Sequence, residues 1–164
     1  MQTLINICNI IKQFMNLDNQ QVYIFNQKYI LPNDTGLYIC VGLQGENVLS
    51  NTNEHKLINN EYKEVITVQK QQVISINIYS YDFSAIDRKE EILMALNSDY
   101  SENMQNQYGF HIGCIPTSFT MVSEVDGTKI LNRFNIHINV ISSKQIIKNS
   151  NYYETNNFLL IKNN

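Results

Sequence analysis

Strict alternation of apolar and polar residues most narrows the fold open to this chain. Phe134, Ile136, Ile138 and Val140 alternate with Arg133, Asn135, His137 and Asn139, so a strand over 129–141 turns one face to a core and the other outward. Ile74, Ile76 and Ile78 alternate in the same way with Val73, Ser75, Asn77, Tyr79 and Tyr81. Just before that run, Val65, Thr67 and Gln69 alternate with Ile66 and Val68, which leaves Lys70-Gln71-Gln72 as either a tight turn or part of one continuous strand. Asp126-Gly127 stands between two alternating runs and signals a hairpin. Half-buried strands of this kind need an apolar layer on their inner faces.

Helices supply the candidates for that layer. Leu4, Ile7, Cys8, Ile11, Phe14 and Met15 recur at three- and four-residue spacing, which predicts an amphipathic helix over 3–15 docked on the sheet. Ser84 is a candidate N-cap for a helix reaching about Asn97, with Asp87 in its favoured first turn. A second helix over about 100–108 should end at Gly109. Strand composition returns over 110–115 and 118–125, interrupted by Pro116. Nearer the N-terminus, 22–25 and 37–43 are β-rich and flank the turn-like run 31–36, which suggests two antiparallel strands. The expected fold is therefore α+β: a mostly antiparallel sheet with an N-terminal helix and a central helix pair packed on one face. One domain over 1–164 is expected, with an exposed loop or hairpin arm at about 44–60 and a C-terminal extension at about 142–164.

Composition excludes some functions. Charged residues are 16% of the chain against roughly 25% in typical globular domains, so much of the polar surface must be built from Asn and Gln amides. The net charge is −3 and the guanidinium groups are Arg88 and Arg133 alone, a poor inventory for gripping phosphate backbones. No apolar run approaches the roughly 18 to 20 residues that cross a bilayer. The N-terminus also lacks the basic start and small-residue cleavage site of a secretory signal, so cytoplasmic residence is expected. Cys8, Cys40 and Cys114 are far apart and odd in number, consistent with small buried hydrophobes in a reducing compartment.

Few residues suggest chemistry. His55, His111 and His137 do not fall at metal-binding spacings, and His111 with Cys114 is a lone pair. Gly42-Leu43-Gln44-Gly45 has the outline of a phosphate-clamping loop but lacks basic neighbours and a following helix. No G-x-S-x-G elbow occurs, and no serine has a histidine placed to activate it. No catalytic residue, cofactor or metal is expected. Arg88, Lys89, Glu90 and Glu91 form a mixed-sign patch that could complement a neighbouring copy packed head to tail, with Arg133 as its candidate partner.

The order of elements over 88–140 carries a resemblance. Arg88-Lys89-Glu90-Glu91 with Met94-Ala95-Leu96-Asn97-Ser98 is followed by Tyr108-Gly109-Phe110, then Ile115-Pro116-Thr117-Ser118-Phe119. Val122-Ser123-Glu124-Val125 then leads to Leu131-Asn132-Arg133. This series resembles the tail terminator, or neck terminator, proteins of tailed bacteriophages, and more loosely so does 22–42. Its motifs are packing and turn motifs, so their specificity lies in their order. The resemblance implies a virion protein of the tail-neck junction, assembled in the bacterial cytoplasm as a ring, commonly a hexamer. Such a ring caps the tail tube, ends its polymerisation and docks the head completion and neck proteins, with the tail sheath a further possible neighbour. DNA would pass through without specific binding, and no membrane would be involved. The Asn-rich stretch and the C-terminal extension depart from the family pattern. Another head-tail adaptor or head completion protein is the alternative, and a small cytoplasmic enzyme a more distant one.

Overall fold

The computed structural model describes residues 1–25, 32, 34–126 and 129–149. Its first element is the expected helix, α1 (Gln2–Met15), which buries Leu4, Ile7, Cys8, Ile11 and Met15 and adds Ile10 to that stripe. Phe14, expected on the same stripe, is 45% exposed. Asn16 closes the helix in the left-handed conformation at φ 53°, which asparagine tolerates because its short side chain crowds little.

Three strands form the body of the sheet. They are β2 (Tyr38–Ile58), β3 (Glu61–Ser80) and β7 (Lys129–Asn149), paired antiparallel in the order β2-β3-β7. The short strands are β1 (Val22–Ile24), β4 (Phe110–Ile112), β5 (Thr120–Met121) and β6 (Glu124–Asp126). Of these, β1 adds to β2, while β4, β5 and β6 all add to β7. The structure is α+β, with helices on one face of a mostly antiparallel sheet.

Register explains the inner face. Ile39, Val41, Ile74, Ile76, Ile78, Phe134, Ile136, Ile138 and Val140 pack with the apolar stripe of α1 and with Ala85, Ile92, Ala95, Leu96 and Met104. These last five come from α2 (Ser84–Arg88), α3 (Glu90–Leu96) and α4 (Asp99–Tyr108). Removing each large side chain from water contributes roughly 1.5–3 kcal/mol, so the two alternating runs and the N-terminal stripe together hold the fold.

Several expectations need correction. β1 pairs β2 in parallel, Val22 beside Ile39, instead of forming a hairpin with it. The segment between them is long enough for a crossover, which a two-residue turn would not permit. Of the two readings of 44–60, the hairpin arm is the one that forms, and the loop is not. β2 runs on to Ile58 and returns through Asn59 and Asn60, both at positive φ, into β3. Of the two readings of Lys70-Gln71-Gln72, the continuous strand is the one observed, inside β3. The single helix expected over 84–97 is two segments, because the N–H of Ile92 donates to the carbonyl of Lys89 in a tightened turn (3.2 Å). Ser84, expected as the cap, is the first helical residue; the N-cap position is Phe83, and the Asp82 carboxylate just before it accepts from the Ser84 N–H at 2.8 Å.

Other boundaries fall as read. Ser98 caps α4 through its hydroxyl, which accepts from the Ser101 N–H, and Gly109 ends the helix at φ 64°. Asp126 faces Lys129 in the β6-β7 pairing, as a two-residue hairpin requires, although the turn residues 127 and 128 lie outside the described residues. Of the turn expected over 31–36, residues 31 and 33 lie outside them too. The C-terminal extension continues β7 as far as Asn149, and 150–164 lies outside the described residues.

The central feature of the shape is an arm. Beyond the helices, the distal halves of β2 and β3 and the last residues of β7 continue as three paired strands. From Gly45 to Ile58 the arm extends roughly 40 Å at the usual rise per strand residue. Bulges in β2 between Leu43 and Gly45 and between Val48 and Ser50 lie where the arm leaves the core, and each adds local twist.

Candidate functional site

The five charged residues predicted at an interface fall on two faces. Arg88 is bound within the chain: its Nε donates to both Glu91 carboxylate oxygens (3.0 and 3.2 Å), and its Nη2 donates to Glu91 Oε2 (2.8 Å) and the Met15 carbonyl (2.9 Å). The Glu91 hydrogen bond raises the Arg88 pKa further above its ordinary value. Lys89 Nζ donates to the Ile86 carbonyl and pairs with Glu90, both at 2.8 Å, while lying 5.4 Å from the centre of the Phe134 ring. That bond from Lys89 holds the Glu90 carboxyl below the usual range. The patch is thus a set of short-range pairs that tie α2 and α3 to each other and to the end of α1.

Arg133 lies elsewhere. Its neighbour Phe134 faces the helices, and alternation turns Arg133 to the opposite face of the sheet. The helix patch and Arg133 are therefore not brought together within one copy. In a head-to-tail assembly they would sit on opposite sides of each subunit.

Cross-strand register builds a second cluster around Arg133. Tyr38, Tyr79 and Arg133 form one row across β2, β3 and β7; Cys40, Asn77 and Asn135 form the next; Gly42, Ser75 and His137 form the third. Asn77 is the hub, its Oδ1 accepting from Arg133 Nη2 (3.1 Å), Arg133 Nε (3.4 Å) and Asn135 Nδ2 (2.9 Å). Arg133 also lies over the Tyr79 ring, 5.3 Å from its centre. Burial pushes the Tyr79 hydroxyl pKa up, with Arg133 opposing the shift and Glu124 adding to it. Gly42 sits where Phe25 crosses: an added Cβ would come within 3.0 Å of the Phe25 Cβ. That close approach accounts for the glycine without any phosphate-binding role.

These rows, apart from Tyr38 and Cys40, floor a cleft of about 330 Å³ that Phe25, Thr120 and Val122 also line. His137, on the outward face of its alternating run, is exposed at its rim. The sequence reading singled out Arg133 but missed Asn77, Tyr79 and Asn135 as its companions. Their signal was the polar side of each alternating run, which register alone turns into a cluster.

A broader groove of about 1000 Å³ runs between α4, β4 and the segment after it. It includes Glu102, Gln105, His111 and Cys114. Gln105 is committed to structure, its Oε1 accepting from the Ile112 N–H and its Nε2 donating to Ser101. Among the described residues, Glu102, His111 and Cys114 share no hydrogen bond or ion pair that would make a nucleophile and base. Cys114 is exposed, contrary to the expectation that all three cysteines are buried, because it follows β4 in irregular chain at the groove wall. Cys8 and Cys40 are buried as expected.

Among the described residues, no three His, Cys, Asp or Glu side chains are placed to hold a metal ion. No helix among them is long and apolar enough to cross a membrane. No protein-family model matches the chain, and no curated protein matches it.

Proposed function

We propose that the chain is a structural subunit of a phage or prophage-derived tail, one that closes into a ring, with six copies expected, caps the tail tube and joins it to the head completion proteins. In this reading it is not an enzyme. One observation carries the proposal: the arm leaves two long strand edges open. Among the described residues, β1 covers β2 only as far as Val41, and β4 covers β7 only as far as Ser142. Open edges of this length are templates for pairing with another chain.

The charges on the edges favour a particular mode. The β7 edge carries Lys144 and Lys148, which form no ion pair among the described residues, while the β2 edge carries Glu46, paired with Lys70 of β3, and Glu54, paired with Lys56 of the same edge. Two β7 edges would set lysines against lysines. A β7 edge against the β2 edge of the next copy avoids that repulsion and offers its lysines a share of the Glu46 and Glu54 carboxylates, and such a heterologous contact generates a ring when its rotation closes. Val48, Leu49, Leu57, Ile146 and Ile147, all about half exposed or more, would be covered as the arms come together. The Arg88–Glu91 patch and Arg133, on opposite sides of the subunit, are further candidates for the same head-to-tail contact. An Arg-poor subunit would also let DNA through a ring with few phosphates neutralised.

Particles assembled without this protein test the reading. The expected result is unjoined heads beside tails of irregular length. Normal infectious particles would overturn the proposal.

A further inference from the structure

We propose that the cleft around Arg133 is a carboxylate-binding site, in which the outward side of the guanidinium receives one carboxylate group. This goes beyond ring formation and stands whether or not rings form.

The site is built around a cation whose partner is neutral. Guanidinium groups partly withdrawn from water normally meet a carboxylate, and Arg88 does so with Glu91. Arg133 instead rests on the amide oxygen of Asn77, and among the described residues it forms no ion pair. Asn77 fixes its orientation, because one oxygen takes both Nε and Nη2, and Tyr79 supports one face of the plane. The guanidinium carries five N–H donors, of which Asn77 engages two, and Nη1 has no partner among the described residues. A fork of N–H groups is thereby held ready for a planar, two-oxygen acceptor. Glu124 lies close enough to act on Tyr79 but is not paired with Arg133.

The surroundings favour a carboxylate over a phosphate. Among the described residues, Arg133 is the only permanently charged side chain lining the cleft, and the other polar groups are amides, hydroxyls and His137. One guanidinium balances one negative charge, whereas phosphate sites gather several cations or backbone N–H groups. The cleft, about 330 Å³, is large enough for a short acid or for one acidic side chain. The carboxylate can come from a free small molecule or from an acidic residue of a second copy of the chain.

The chain has two arginines, so protein labelled with 15N-arginine gives two Nε–H correlations, and Arg88 serves as the internal control. Sodium acetate is titrated against sodium chloride and sodium phosphate at matched ionic strength, and the unliganded protein is separately diluted. A saturable shift of the Arg133 signal with acetate alone identifies a free carboxylate as occupant. A shift of the Arg133 signal on dilution, with the Arg88 signal unmoved, identifies a carboxylate of a second copy. In either case Arg133→Lys, which keeps the charge and loses the fork, should weaken the contact about tenfold, read from the side-chain amide signals of Asn77 and Asn135. An Arg133 signal that ignores both acetate and dilution, or follows chloride or phosphate as closely as acetate, overturns the proposal, and this reading needs no variant to fold.

Discussion

Replacing Asn77 by leucine should destabilise the protein by about 3 kcal/mol. The side chain is 8% exposed and its one oxygen accepts three hydrogen bonds, two from the Arg133 guanidinium and one from the Asn135 amide. A bond from a charged donor contributes about 1.5–3 kcal/mol and one from a neutral amide about 0.5–1.5 kcal/mol, more when the donor is left buried and unmet. The 3.4 Å bond from Nε is long and adds little to the 3.1 Å bond from Nη2, so one charged and one neutral contact are counted. Leucine has a similar volume, so no large cavity enters the comparison. Urea unfolding followed by circular dichroism measures the loss as a lower midpoint at unchanged slope. Arg133→Leu in the same background removes the orphaned cation, so the double variant should be more stable than the summed single effects by about 2 kcal/mol. A cost for Asn77→Leu below about 1 kcal/mol, or additivity within about 0.5 kcal/mol, would refute the role of Asn77 as the seat of the guanidinium.

Three further outcomes follow from single sites. Gly109→Ala should cost about 1 kcal/mol, seen as a fall in melting temperature, because its φ of 64° strains an L side chain although an added Cβ meets nothing within 4 Å. With a chromogenic thiol reagent at pH 8, the exposed Cys114 should react in the native protein while Cys8 and Cys40 wait for unfolding. Burial pushes those two thiols up to about 12 and about 11, so prompt reaction of all three would contradict the packing of α1 and β2. The Ser84 N–H, helped by the Ser84 side chain, holds the Asp82 carboxyl below its usual value. A depressed carboxylate contributes stability that is complete above its unfolded pKa, about 3.9, and fades as pH falls through the folded value. Asp82→Asn, which keeps the acceptor but not the charge, should therefore unfold with a shallower pH dependence below about pH 4. An unchanged acid limb would show that Asp82 contributes nothing there.

The alternating runs were legible because one period has one structural meaning. Ile74, Ile76 and Ile78 and their counterparts from Phe134 to Val140 had to face a core, and they do. Gly109 was legible for a similarly local reason, since a helix end in the left-handed region favours glycine. Residues 44–60 stayed open between loop and hairpin arm because Asn, Gly and Ser suggest loop, yet this stretch is an outer strand held by its ladder to β3. Backbone hydrogen bonds do not require apolar side chains. The parallel β1-β2 pairing was not legible either, since two adjacent β-rich runs most simply form a hairpin. In the Arg133 site, Asn77, Tyr79, Asn135 and Arg133 lay on polar faces readable from sequence. What pattern could not supply was register: that Asn77 stands opposite Asn135, one row from Arg133, depends on long-range pairing between β3 and β7. The charged helix start was conspicuous in sequence for another reason, since Arg88 and Glu91 are three residues apart and pair within the helix region itself.

The ring is tested most directly by electron microscopy of the purified protein beside its Lys144→Glu/Lys148→Glu variant, which reverses the charge of the β7 edge. Closed rings of one fixed copy number for the unmodified protein, and separated subunits of unchanged circular dichroism for the variant, are the predicted result. Single subunits at every concentration of the unmodified protein, or rings that persist in the variant, would contradict pairing between the β2 and β7 edges.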